Sequence, residues 1–172
     1  MSADHESFFR SVFESDFAFV WNSLRRLGVV DKDRADIAQE VFVVVYQRLG
    51  EFDRSRPMRP WLFGIAYRIA LRYRSLARHK GETLDDVDSP VSGVDPQSLT
   101  LERERATLVH DAIKRIELHR RGVFILAEID GLSAPQIAES LNIPLNTVYS
   151  RLRSARKDFA CAIAELSARD SA

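Results

Sequence analysis

Residues 80–100, KGETLDDVDSPVSGVDPQSLT, contain no aromatic residue and are rich in Asp, Ser, Pro and Gly. A segment of that composition buries too little apolar surface to offset the entropy of ordering it, so it reads as a flexible linker. The 172-residue chain is therefore expected to form two small units, residues 1–80 and 101–172, joined by residues 81–100.

Both units read as helical. In the first, Phe8, Val12 or Phe13, Phe17, Val20, Leu24 and Leu27 recur at helical spacing, and Gly28 supplies a stop. A second helix is expected from Asp33 or Asp36, carrying Ile37, Val41, Val44, Val45 and Leu49 inward until Gly50. Its stretch Val41 to Tyr46 is β-branched and aromatic and by propensity resembles a strand. The flanking DIAQE and QRLG continue the 3.6-residue period, which favours helix. Six consecutive apolar residues surround a helix, so either it is central to its domain or a partner covers its outer side. Trp61 to Ala77 predicts a third helix, with Leu62, Ile65, Ile69 and Leu76 inward. Beyond the linker, helices are expected from Leu101 to Ile116 and from Val123 to Ile129. Ser133-x-x-Gln136 forms a capping box for a short helix to Leu141, and Asn146 caps a last helix to about Leu166. The fold class is all-α, the second domain containing a helix-turn-helix.

The net charge is zero, but its distribution is uneven. Residues 54–80 hold eight Arg and Lys and no acid, residues 145–157 hold four and no acid, and residues 81–118 carry a net −5. Two basic patches separated by an acidic stretch fit a two-site footprint on a polyanion.

The second patch lies on a helix pair at residues 132–157. Ile137, Ala138 and Leu141 face Val148, Leu152 and Ala155 across a turn filled by Ile143. The second helix then exposes Asn146, Thr147, Tyr149, Ser150, Arg153, Ser154, Arg156 and Lys157, a face with donors and cations and no carboxylate. Such a face suits the major groove. Tyr149, Ser150, Arg153 and Ser154 are assigned to base edges. Thr147, Arg151, Arg156 and Lys157 are assigned to phosphates.

The first patch differs in kind. Phe52, Trp61, Phe63, Tyr67 and Tyr73 interleave with Arg54, Arg56, Arg59, Arg68, Arg72, Arg74, Arg78 and Lys80. Cations that follow a phosphate chain beside aromatic faces describe a single-strand surface, where stacking stabilises an exposed base by about 1–3 kcal/mol. Trp61 and Phe63 suit the core better, so the loop Asp53 to Pro60 is the candidate for holding a displaced base.

These segments resemble a known family. Asp36-Ile37-Ala38-Gln39-Glu40-Val41-Phe42 is similar to the D-L-x-Q-E-x-F signature in the second conserved region of bacterial sigma factors. Phe52-Asp53, Pro60-Trp61-Leu62 and Ile65-Ala66 resemble its adjoining segments. Gly131-Leu132-Ser133, Ile137-Ala138 and Thr147-Val148-x-Ser150-Arg151-Leu152 resemble the helix-turn-helix of the fourth region. With only these two regions, over about residues 8–80 and 101–160, the chain is similar to the extracytoplasmic-function (ECF) group.

The resemblance implies a sigma factor that binds core RNA polymerase and directs promoter-specific initiation. Asp36, Gln39, Glu40 and Val43 would dock on the clamp helices of the largest polymerase subunit. Asp53, Arg54, Arg56, Arg59, Trp61, Arg68 and Arg72 would serve −10 recognition and melting. Asn146, Thr147, Tyr149, Ser150, Arg151, Arg153, Ser154, Arg156 and Lys157 would bind the −35 element. The acidic linker would thread toward the active-site and RNA-exit channels, and an anti-sigma factor is an implied partner. The sequence departs from the family pattern at Arg68 and Arg72, usually Asn and Asp. It departs again at Glu117, usually Pro, at Gly122, which interrupts an expected helix, and at Ser154, often a larger basic residue. These departures bear on the −10 and −35 preferences.

Other classes fit less well. His5, His79, His110 and His119 lack metal-ligand spacing, Cys161 has no neighbouring histidine, and there is no Gly-rich phosphate loop. No catalysis, metal or cofactor is expected. The alternative is a stand-alone helix-turn-helix regulator binding an operator without polymerase, for which residues 1–80 show no sensor signature. The N-terminus lacks the basic segment of a signal peptide, and no apolar run approaches the roughly 20 residues of a membrane span. A lone cysteine suits a reducing compartment, so a cytoplasmic location with no membrane insertion is expected.

Overall fold

The computed structural model describes residues 3–79 and 100–170, and all regular structure among them is helical. The linker expected at residues 81–100 lies outside the described residues, apart from Thr100. The first unit consists of α1 (Ala3–Arg26), α2 (Asp31–Arg48) and α3 (Met58–His79). The second consists of α4 (Thr100–Arg115), α5 (Leu118–Phe124), α6 (Ala134–Leu141) and α7 (Leu145–Asp170). A 3₁₀ turn, Leu49–Glu51, follows α2, and a π turn, Ile125–Ile129, extends α5.

Local chemistry sets the ends of these helices. Asp4 and Glu6 occupy the first turn of α1 and Arg25 and Arg26 its last, complementing the helix dipole. Gly28 adopts φ +84°, and the Val29 amide donates to Leu24 O at 3.0 Å while the Gly28 amide donates to Arg25 O at 3.0 Å. This paired pattern satisfies carbonyls that a helix end otherwise leaves orphaned. Asn142 closes α6 in the same way at φ 54°, its successor Ile143 donating to Ala138 O at 3.0 Å.

The β-branched run is helical, as its flanks indicate: Val41, Phe42 and Val45 are buried and Val43 is exposed. Several boundaries differ from expectation. α2 starts at Asp31 and α3 at Met58, both earlier than the apolar period shows, because first turns need only polar or proline residues. α5 starts at Leu118, where the Glu117 carboxylate accepts the His119 amide at 3.1 Å. Gly122 thus lies within a helix rather than interrupting one. Asn146 sits in the first turn of α7 and does not cap it; the first bonds run from Thr147 and Val148 to Pro144 O. Leu76, expected inward, is exposed. The capping box forms as read, the Gln136 side-chain oxygen accepting the Ser133 amide at 2.9 Å.

Val20, Leu24, Leu27, Leu62, Phe63 and Ile65 fill the first unit, and Ile116, Ile125, Leu126, Ile137, Val148 and Ala155 the second. The two sets belong to one contiguous cluster, because α3 packs directly against α6. Buried Arg121 closes the end of α4, donating to Lys114 O and, at 2.9 Å and 3.1 Å, to Ile116 O. Burial, with Arg74 nearby, pushes its guanidinium down to about 10.

Candidate nucleic-acid interface

α7 projects its outer face because its inner face is fully used: Val148 and Ala155 are buried against α6, α5 and α4. Tyr149 is 53% exposed, and Asn146, Ser150, Arg153, Arg156 and Lys157 are also exposed. Thr147 and Ser154 are half-buried. Two of the expected cations are engaged within the chain. Arg156 pairs with Glu128 at 2.7 Å. Arg151 turns toward the Tyr67 phenol, whose pKa burial raises and Arg151 opposes. Arg153 and Lys157 remain on the face with Tyr149 and Ser150.

The second surface is the loop 52–57 with the outer side of α3. Asp53 accepts from the Ser55 amide at 3.0 Å and its hydroxyl at 2.7 Å, which folds the loop back on itself. Those bonds hold the Asp53 carboxyl below its ordinary value. Arg54 stacks on Phe8, 4.1 Å from the ring centre. Arg59 pairs with Asp16 at 3.0 Å, so it braces the loop against α1. Trp61 is half-buried and lies 5.0 Å from the Phe52 ring, whereas Phe63 is fully buried. Arg68 and Arg72 are exposed on α3. Partial desolvation, with Arg48 nearby, pushes the Arg68 guanidinium down. Arg48, Asp53, Arg56, Trp61 and Arg68 line one side of a cleft of about 690 Å³, and Gln136, Glu139, Ser140 and Asn142 line the other.

A third surface is apolar. Phe9, Phe13 and Phe17 of α1 and Phe42, Val43 and Tyr46 of α2 line a groove of about 420 Å³, edged by Gln39. Phe13 lies 4.7 Å from Phe42 and Phe9 5.0 Å from Tyr46, ring centre to ring centre. Val43 is 48% exposed, Phe13 40% and Phe17 38%. Asp36 and Gln39 are also exposed, while Glu40 is half-buried and pairs with Arg72.

Comparison with known proteins matches residues 12–80 to sigma-70 region 2 and residues 106–159 to sigma-70 region 4. The ECF RNA polymerase sigma factor SigW of Bacillus subtilis is 31% identical over 144 residues, covering 77% of this chain and 76% of the relative. The RNA polymerase sigma factor NccH of Alcaligenes xylosoxydans is 29% identical over 138 residues, covering 77% and 74%. The chain belongs to the sigma-70 family, in its ECF group.

As a sigma factor it binds core RNA polymerase and directs promoter-specific initiation of transcription. Two solved structures share the fold. CnrH, in complex with the cytosolic domain of CnrY, has a TM-score of 0.63 at 23% identity, covering 93% of this chain and 90% of its own. The sigma factor RpoE of Bartonella quintana, in complex with the anti-sigma factor NepR, has a TM-score of 0.63 at 17% identity, covering 88% and 96%. No helix among the described residues is long and apolar enough to cross a membrane, and no His, Cys, Asp and Glu cluster there could hold a metal.

In this sigma factor the helical period of α1 groups Phe17 with Val20, Leu24 and Leu27, whereas Phe17 is exposed and lines the groove. Phe9, Phe13 and Phe17 form their own four-residue stripe beside Val12, Val20 and Leu24, and that second stripe was the available signal.

Proposed function

We propose that residues 1–80 act on the −10 element and residues 101–172 on the −35 element. In this reading Tyr149, Ser150, Arg153 and Ser154 meet base edges in the major groove, with Asn146 and Thr147 at the helix entrance. Arg156 and Lys157 position the helix on phosphates, and Arg151 joins them once it leaves Tyr67. The loop at Asp53, Arg54 and Arg56, braced by Arg59 and floored by Phe52 and Trp61, holds an unstacked base. Arg68 and Arg72 follow the strand. The observation that carries this reading is the face of α7, where Tyr149, Ser150, Arg153 and Lys157 stand exposed with no carboxylate among them.

The groove between α1 and α2, with Asp36, Gln39, Glu40 and Val43 along α2, takes the clamp helices of the largest polymerase subunit. Its exposed rings are the apolar surface that a partner is expected to cover. An anti-sigma factor is a second partner, supported by the CnrY and NepR complexes of the structural neighbours. The chain works in the cytoplasm, where polymerase is, and performs no bond chemistry of its own.

Permanganate footprinting of a promoter selected by the holoenzyme tests the division of labour. Reactive thymines confined to the −10 region, with protection of the −35 duplex, are expected. Melting centred at −35 would reverse the assignment.

A further inference from the structure

α7 begins with a leucine that the core leaves outside. Leu145 is its first residue and is 40% exposed. The junction of α6 and α7 is filled by others: Leu141 and Val148 are buried, and Ile143 and Leu152 pack against the core. A lone exposed leucine is ordinary. This one has company, because Tyr149, one helical turn further on, is 53% exposed. Residues four apart stand side by side on a helix, so Leu145, Tyr149 and Arg153 form one ridge along α7. The ridge is apolar at its N-terminal end and cationic beyond it.

The chemistry of a duplex leaves few partners for such an end. Base edges in the major groove present hydrogen-bond donors and acceptors, and the thymine 5-methyl is the apolar group among them. A recognition helix meets base edges with its N-terminal residues, where Leu145 and Tyr149 stand. The leucine side chain neither donates nor accepts. Set against a purine edge, it would strip water from N7 and return no hydrogen bond. Set against a thymine methyl, it removes apolar surface from water on both sides.

We propose that Leu145, beside the Tyr149 ring, is a specificity residue that reads a thymine methyl in the −35 duplex. This rests on the −35 reading of α7. The ridge also restricts where that thymine lies. From Leu145 to Arg153 the helix rises about 12 Å. The thymine therefore stands within about four base pairs of the base that Arg153 meets.

Deoxyuridine differs from thymidine only by the missing 5-methyl group, so the DNA can be altered before the protein. A −35 duplex is selected from a randomised library with the holoenzyme, and each thymine is then replaced in turn. At one thymine within that span, holoenzyme affinity should fall about fourfold, the scale of one buried methyl-sized group. Holoenzyme carrying Leu145→Ala should bind the thymine duplex about fourfold more weakly and no longer distinguish thymine from deoxyuridine there. Alanine suits an exposed helical position, so circular dichroism should not change. Equal sensitivity of wild type and variant to deoxyuridine would overturn the role of Leu145. A selected site without a thymine in that span, or indifference of wild type to every replacement, would overturn methyl reading. Arg153→Ala separates these failures from that of the −35 reading. If it still weakens discrimination, α7 reads the duplex and only the inference about Leu145 falls. If neither Arg153→Ala nor any deoxyuridine alters binding, the −35 assignment of α7 falls with it.

Discussion

The Arg72 guanidinium on α3 pairs with the Glu40 carboxylate on α2. From sequence these residues belong to different tasks, one to promoter DNA and one to polymerase. The pair ties the two surfaces together, so a change at one is felt at the other. Both side chains keep substantial solvent contact, and Glu40→Gln should lower stability by less than about 1 kcal/mol in urea unfolding. It should also free one cation for the strand. The log–log salt slope of holoenzyme binding to single-stranded −10 DNA should steepen by about 0.7. An unchanged slope would mean that Arg72 does not face the strand.

Val43 stands exposed beside the aromatic wall of Phe13 and Phe42. Placing a charge there costs the free chain little, because the side chain already meets water. Against a desolvated interface it costs about 2 kcal/mol or more, the scale of an interface hot spot. Val43→Glu should therefore reduce affinity for core polymerase by about thirtyfold while circular dichroism and −35 duplex binding stay unchanged. Retained polymerase affinity would remove the groove from the interface.

On α7 the sharpest test is Arg153, exposed on the same helix as Tyr149 and Ser150. Arg153→Ala should lower discrimination between a selected −35 sequence and its single-base variants by about 1–3 kcal/mol at one position, measured by competition footprinting. Polymerase co-elution should not change. A uniform loss over all sequences would move Arg153 to phosphate contact.

Asp130 precedes the turn at Gly131 with its Oδ2 buried and without a hydrogen-bond partner. Burial pushes its carboxyl above the ordinary value, and Arg26 and Arg59 only partly oppose this. The folded state therefore holds the proton to higher pH than the unfolded state does. Stability from this group falls as pH rises from the unfolded value, about 4, through the folded one, and the penalty persists at neutral pH. Asp130→Asn should raise the melting temperature at pH 7 and flatten the profile in that window. A lower melting temperature at pH 7 would show that the charge has a partner after all.

Much of the fold was legible because helical period and turn chemistry are local. The Val41 to Tyr46 run is helical against its propensity, as the unbroken period of its flanks indicates, and Val43 is exposed as a surplus apolar residue must be. The capping box at Ser133 and Gln136 and the stop at Gly28 were equally direct. What failed depended on contacts between distant residues. Gly122 read as a break because its reason, the Tyr67 ring, lies 55 positions away in sequence. Asn146 looked like a cap because caps are usually Asn, Ser, Thr or Asp, yet Pro144 O already supplies the first bonds. Arg151 and Arg156 counted as free cations until tertiary packing set Tyr67 and Glu128 beside them. On α7, period placed Asn146, Tyr149, Ser150, Arg153, Arg156 and Lys157 on the exposed side, but Thr147 and Ser154 are half-buried, and period carries no signal of which cations the protein itself engages.

The central claim is that both units act through polymerase. It is tested most directly by mixing the purified chain with core bacterial RNA polymerase, then following co-elution and run-off transcription from a promoter library. Co-elution with new transcripts that start at a shared −10 and −35 pair is the predicted result. Tight duplex binding by the chain alone, with no polymerase in the eluted complex and no new transcript, would contradict it.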